Sequence, residues 1–156
     1  MKKRYIIFSS IEWNTIWQTQ QKLASSLSKE SNVLFIENTG IRLPKIRDVK
    51  RIKDRFKNWY RSTKGFKEIK KNLLVYFPMI IPLPYLFIAR KINTYLVLKS
   101  INKWLKIHNS GNLIIITFIP SPLSLNLIEK IPSNVLIYYC ANKMIGHNNQ
   151  NKKLIK

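Results

Sequence analysis

The chain has 156 residues, 46% of them hydrophobic, with 28 Lys+Arg against 7 Asp+Glu and a formal net charge of +21. That length and apolar content fit one globular domain and exclude a disordered chain. One cysteine, Cys140, and two histidines, His108 and His147, exclude an internal disulfide framework and a zinc cluster, and they fit a reducing cytoplasm.

A basic lead precedes the apolar run Tyr5-Ile6-Ile7-Phe8. The run is too short for a signal peptide, and Ser9, Ser10 and Glu12 break its apolar character, so a first strand is predicted. Thr15-x-x-Gln18 has capping-box spacing, and Ile16, Trp17, Leu23, Ala24 and Leu27 recur at helical spacing up to about Lys29. Residues 33–36 form a second apolar run, closed by Glu37-Asn38-Thr39-Gly40. The opening is therefore strand, helix, strand.

Beyond Pro44, Asp48 can cap a helix on which Val49, Ile52, Phe56, Trp59 and Tyr60 share one face. Lys50, Arg51, Lys53, Arg55, Lys57 and Arg61 occupy the other face. Together with Trp59, these cations suit contact with an anionic membrane, and packing of the apolar stripe on a sheet is the competing reading. Gly65 ends that pattern, and residues 73–77 read as a third strand. No charge stands between Leu73 and Ala89, but Pro78, Pro82 and Pro84 would break a membrane-spanning helix. A strand, an apolar Pro-rich loop and a helix are expected instead. That loop, from Met79 to Tyr85, is a candidate acceptor-binding or membrane-dipping segment, with burial against a neighbouring domain as its alternative.

A long helix over about 86–107 carries two apolar stripes. One holds Ile88, Ile92, Tyr95 and Leu96; the other holds Val97, Leu98, Ile101, Trp104 and Leu105. A kink, or cover on two sides, would account for both. Gly111 is a terminator, and residues 113–119 make a continuous apolar run that ends on Pro120-Ser121-Pro122. A short helix and a last strand over 135–139 come next. Past Cys140 the chain turns Asn- and Lys-rich, so a domain over 1–141 and a polar tail over 142–156 are expected. Five strands with intervening helices imply an α/β fold: a Rossmann-like parallel sheet, order 3-2-1-4-5, with helices on both faces. The last strand lacks a helix after it, as in part of a larger enzyme.

Ligands of such sheets sit beyond the carboxyl ends of the strands. There is no G-x-G-x-x-G after the first strand, no P-loop and no nucleophile elbow, which argues against NAD or FAD. The residues at strand ends are the binding candidates: Ser10, Glu12 and Trp13; Glu37, Asn38 and Gly40; Pro120 and Ser121. Glu12 and Glu37 can each hydrogen-bond a sugar hydroxyl, or else be solvated or capping carboxylates. For Trp13 and Trp17, core packing competes with ligand contact. No catalytic residue, metal ligand or cofactor is assigned. The excess charge favours an anionic membrane surface or a phosphorylated ligand ahead of nucleic acid. Nucleic acid would call for aromatic and basic residues interleaved on a strand face or groove.

Several pieces resemble a family. Ser9-Ser10-Ile11-Glu12-Trp13-Asn14, Trp17-Gln18-x-x-Gln21 and the strand ending Ile36-Glu37-Asn38-Thr39-Gly40-Ile41-Arg42 look like the amino-terminal domain of bacterial group 1 glycosyltransferases. These are of the GT-B type, similar to teichuronic-acid and other cell-surface polysaccharide transferases. Lys64-Gly65-Phe66, Ile81-Pro82-Leu83-Pro84-Tyr85, Thr117-Phe118-Ile119-Pro120 and Tyr138-Tyr139-Cys140 are similar in order and spacing. The resemblance implies half of a GT-B fold. It also implies transfer of a sugar from a nucleotide-sugar donor to a lipid-linked or glycan acceptor, at the inner face of the cytoplasmic membrane, with no metal. Ser10 and Glu12 would then bind hydroxyls, Trp13 would stack on a sugar ring, and Gly40 would bring the backbone close to the ligand. Two departures stand out. Asn142-Lys143 occupies the place where the family often has an acidic pair, and the donor-binding domain is missing, so the chain is expected to be either a truncated product or a subunit that needs a separate donor-binding partner for activity. The rival reading is a non-catalytic basic protein of membrane surfaces.

Overall fold

The computed structural model describes residues 3–37, 65–81 and 86–140. Its strands are β1 (Arg4–Phe8), β2 (Asn32–Ile36), β3 (Phe66–Lys70), β4 (Leu73–Tyr76), β5 (Leu113–Thr117) and β6 (Val135–Tyr138). Its helices are α1 (Thr19–Leu27), α2 (Phe87–Ile107) and α3 (Pro122–Ile128). The strands form one sheet in the order β3-β4-β2-β1-β5-β6. All neighbours run parallel except β3, which is antiparallel to β4. The fold is α/β and Rossmann-like.

Unbroken apolar runs become central strands because both of their faces are covered. Along β1, Ile6 and Phe8 point to one core, shared with Leu34, Ile36, Ile115 and Trp104. Ile7 points to the other, with Val33, Phe35, Val75, Ile116 and Ala24 of α1. Helices α2 and α3 cover the first face through Val97, Ile101, Trp104, Leu123 and Leu127. The expected order of five parallel strands is present as β4-β2-β1-β5-β6, and β3 adds a sixth. Its Lys67, Glu68 and Lys70 are exposed, as suits a charged edge strand, and charge of this kind hides a strand from a search for apolar runs. Asn72, at φ 71, turns the chain from β3 into β4 in the left-handed region that asparagine tolerates.

Two helices differ from expectation. The capping box at Thr15 does not form, because the Thr15 hydroxyl donates to the Glu12 carbonyl (2.7 Å) and closes a local turn. Helix α1 starts a turn later, with the Gln18 amide donating to Gln21 Oε1 (2.9 Å). Ile16 and Trp17 consequently lie outside the helix and are exposed. On α2 the Val97, Ile101, Trp104 stripe is buried, whereas Ile88, Ile92, Tyr95 and Leu96 face outward, so the helix is not covered on two sides. At its far end, Arg4 ties β1 to the turn after α2. Its guanidinium donates to the carbonyls of His108 (2.8 Å) and Gly111 (2.7 and 3.0 Å).

Candidate functional site

The parallel strands all point their carboxyl ends to one edge. Residues 9–18 after β1, Glu37 after β2, residues 77–81 after β4 and residues 118–121 after β5 follow the strands on that side, and β1, flanked by β2 and β5, is where the winding direction reverses. That reversal opens the crevice in which ligands of such sheets sit.

The loop after β1 is fastened from beneath. Gln20, buried on α1, accepts at Oε1 from the Ser9 hydroxyl (2.7 Å) and the Ser10 amide (3.0 Å). Its Nε2 donates to Ser10 Oγ (2.7 Å). A second fastening comes from β2: Glu37 is buried and accepts the Trp13 backbone amide at Oε1. Of the predicted ligand groups, Ser10 and Glu12 are half-buried on this loop. Glu37 holds the loop in place.

Trp13 is 5% exposed and packs edge-on to Phe35 (5.0 Å) and Trp17 (5.8 Å). Its ring belongs to the core, and the competing reading of plain packing describes it. Among the described residues, the indole left open here is Trp17, which is 51% exposed. After β5, Pro120 is half-buried and Ser121 is buried as the N-cap of α3. The Ser121 hydroxyl accepts the Ser124 amide (3.0 Å), and Ser124 Oγ accepts the Ser121 amide (2.9 Å). Asn38, Gly40 and the basic helix expected over 48–61 lie outside the described residues.

Residues not singled out from the sequence complete the edge. A crossover helix runs antiparallel to the strands it joins, so the first half of α2 stands at the carboxyl edge and its end at the amino edge. Asn93, buried, accepts the Ile81 amide at Oδ1 (2.7 Å) and donates from Nδ2 to the Ile81 carbonyl (2.9 Å). This pins the loop after β4 to the helix. On either side of Asn93, Arg90 Nε and Thr94 Oγ1 are buried with no hydrogen-bond partner. They are four residues apart and so share a helix face. Orphaned buried donors are uncommon, because each costs about 1–3 kcal/mol of lost hydration. The visible signal is a polar i, i+4 pair within an apolar stretch. Among the described residues no group of His, Cys, Asp and Glu side chains suits a metal ion, and no helix is long and apolar enough to cross a membrane. No family model matches this chain, and no curated protein or solved structure matches it either.

Proposed function

We propose that the carboxyl edge binds a phosphate-linked sugar acceptor and that the chain is the acceptor-side half of a nucleotide-sugar-dependent glycosyltransferase. The observation that carries this reading is the orphaned pair Arg90 Nε and Thr94 Oγ1, both buried donors, on the part of α2 that meets the ligand edge. A phosphate oxygen accepts from a guanidinium and a hydroxyl together, and the charge on both sides strengthens the bonds. Ser10 and Glu12 on the loop after β1 meet sugar hydroxyls, and Trp17 offers an aromatic face to a sugar ring. In the transfer, an acceptor hydroxyl oxygen bonds to the anomeric carbon while the bond from that carbon to the nucleoside diphosphate breaks. The hydroxyl proton leaves to a base. The donor-binding half comes from another domain or polypeptide.

Thr94→Val tests the reading, because it swaps the orphaned hydroxyl for a methyl of equal shape. The variant is expected to be more stable by about 1 kcal/mol, since an unmet desolvation cost disappears. It is also expected to bind a short-chain prenyl-diphosphate sugar several-fold more weakly, read by saturation-transfer NMR. Greater stability with unchanged binding, or no saturation transfer to that ligand from the unaltered chain, would overturn the proposal.

A further inference from the structure

Residues 88, 92, 95, 99, 103 and 106 succeed one another along α2 at steps of three and four, so they form one stripe on one side of the helix. The stripe changes character at its middle. Its first half is Ile88, Ile92 and Tyr95, with Leu96 beside them, and its second half is Lys99, Lys103 and Lys106. Ile88 is 68% exposed and Tyr95 64%. Leu86 and Phe87, just ahead, are also more than half exposed. Lys91 lies with its Nζ 4.6 Å from the centre of the Phe87 ring, so a cation borders the apolar end as well. The opposite side of the helix, with Val97, Ile101 and Trp104, is already spent on the core. A helix that only met water would have a polar outer side from end to end. A contiguous apolar cluster of this kind marks a docking surface.

We infer that the outer side of α2 docks on the surface of an anionic phospholipid membrane. Ile88, Ile92, Tyr95 and Leu96 enter the boundary between headgroups and acyl chains, and Lys99, Lys103 and Lys106 lie over lipid phosphates. Charge selects this occupant. The helix has five cations and no carboxylate in 21 residues, in a chain of net charge +21. A second copy would bring the same excess of positive charge and, on this helix, no acidic partner for the lysines. The same five cations keep α2 on the membrane rather than through it, since it is not apolar enough to cross. Tyrosine at the margin of the apolar cluster suits the headgroup level. The inference does not depend on sugar binding and stands or falls without it.

The test is co-sedimentation of the full chain with phosphatidylcholine vesicles, with and without phosphatidylglycerol, and with no sugar present. Because sugar is absent, failure here is separate from failure of the acceptor reading. The chain is expected to partition onto the anionic vesicles only. Lys99→Gln with Lys103→Gln is expected to lower the partition coefficient roughly thirty-fold, at about one kcal/mol for each lysine near a charged surface. Ile88→Ser with Ile92→Ser is expected to lower it roughly ten-fold or more, through lost apolar burial. All four positions are exposed, so the variants should keep the native circular dichroism spectrum, which is the check on folding. The inference is overturned if either pair leaves partitioning unchanged, or if neutral vesicles bind equally well. It is also overturned if the folded chain ignores anionic vesicles, whether it then stays monomeric, self-associates or captures polyglutamate as an acidic polypeptide would.

Discussion

Tyr76 shows how much of this molecule depends on single polar atoms in apolar places. It ends β4, is buried, and stacks on Phe66 with ring centres 4.6 Å apart. Burial pushes its phenol above the ordinary value near 10, and a hydrogen bond from Ser100 pulls it part of the way back. A folded-state pKa above the unfolded one means that the unfolded chain loses this proton first as pH rises. The stabilisation is therefore full below pH 10 and falls as pH climbs through and beyond that value. Deprotonation of lysines over the same range acts oppositely, because it relieves repulsion in a chain of net charge +21. Comparison with Tyr76→Phe separates the two. From pH 9 to pH 11 the unaltered chain is expected to lose denaturation midpoint relative to the variant, measured by urea titration at each pH. Parallel curves would mean that Tyr76 ionisation does not matter to the fold. The same attention to single atoms explains why the site is only partly legible in the sequence. Ser10 and Glu12 come directly after β1, so topology alone places them at the ligand edge. Gln20 beneath Ser10, Glu37 beneath Trp13 and the orphaned donors of α2 depend on tertiary distances that spacing does not encode.

At the scale of elements, burial on two faces makes the parallel strands readable, since β1, β2 and β5 carry the apolar runs Tyr5-Ile6-Ile7-Phe8, Val33-Leu34-Phe35-Ile36 and Leu113-Ile114-Ile115-Ile116. Strand β3 escapes such a reading because Phe66-Lys67-Glu68-Ile69-Lys70 is an edge with charges, interrupted by a register shift between Glu68 and Lys70. The start of α1 falls a turn later than the capping-box spacing implies, because Thr15 is taken by a turn with Glu12 and Gln18 becomes the cap. Helix α3 is the opposite case: a short helix is expected after Pro120-Ser121-Pro122 and is present, with Ser121 as its cap and Pro122 in its first turn. Seven residues are too few to hold a helix by propensity, so the cap and Leu123 and Leu127 in the core must do it. Ser121→Ala removes the acceptor for the Ser124 amide in a buried place. It is expected to cost about 1–2 kcal/mol and to lower the melting temperature by a few degrees, measured by calorimetry. An unchanged melting temperature would mean that the Ser124 hydroxyl network alone suffices.

At the scale of the whole molecule, two features pull against each other: an open sheet edge and a large charge. Among the described residues, strand β6 pairs with β5 on one side only. Val135, Leu136, Ile137 and Tyr138 are each between 43 and 52% exposed, whereas their neighbours in β5 are largely buried. Parallel sheets are ordinarily covered on both faces, and an apolar edge with unpaired backbone groups is a template for another strand. Within β6 there is no lysine, proline or glutamate to discourage pairing. What opposes it at low salt is repulsion between chains carrying +21 each. Salt weakens that repulsion far more than it weakens apolar contact, because the screening length falls from about 10 Å at 0.1 M to about 3 Å at 1 M. The chain is therefore expected to be monodisperse in dilute buffer and to associate reversibly as sodium chloride is raised, with light scattering as the readout. Leu136→Lys puts a charge in the middle of the edge at a position already half in water, so it should abolish association without unfolding the chain. Equal association of the variant at high salt would place the contact elsewhere, and the first alternative is the exposed stripe of α2. A chain whose solubility rests on net charge while its edge stays apolar is soluble only where its counterions are few. The anionic surface inferred for α2 would remove the same repulsion and bring β6 edges of neighbouring molecules within reach of one another.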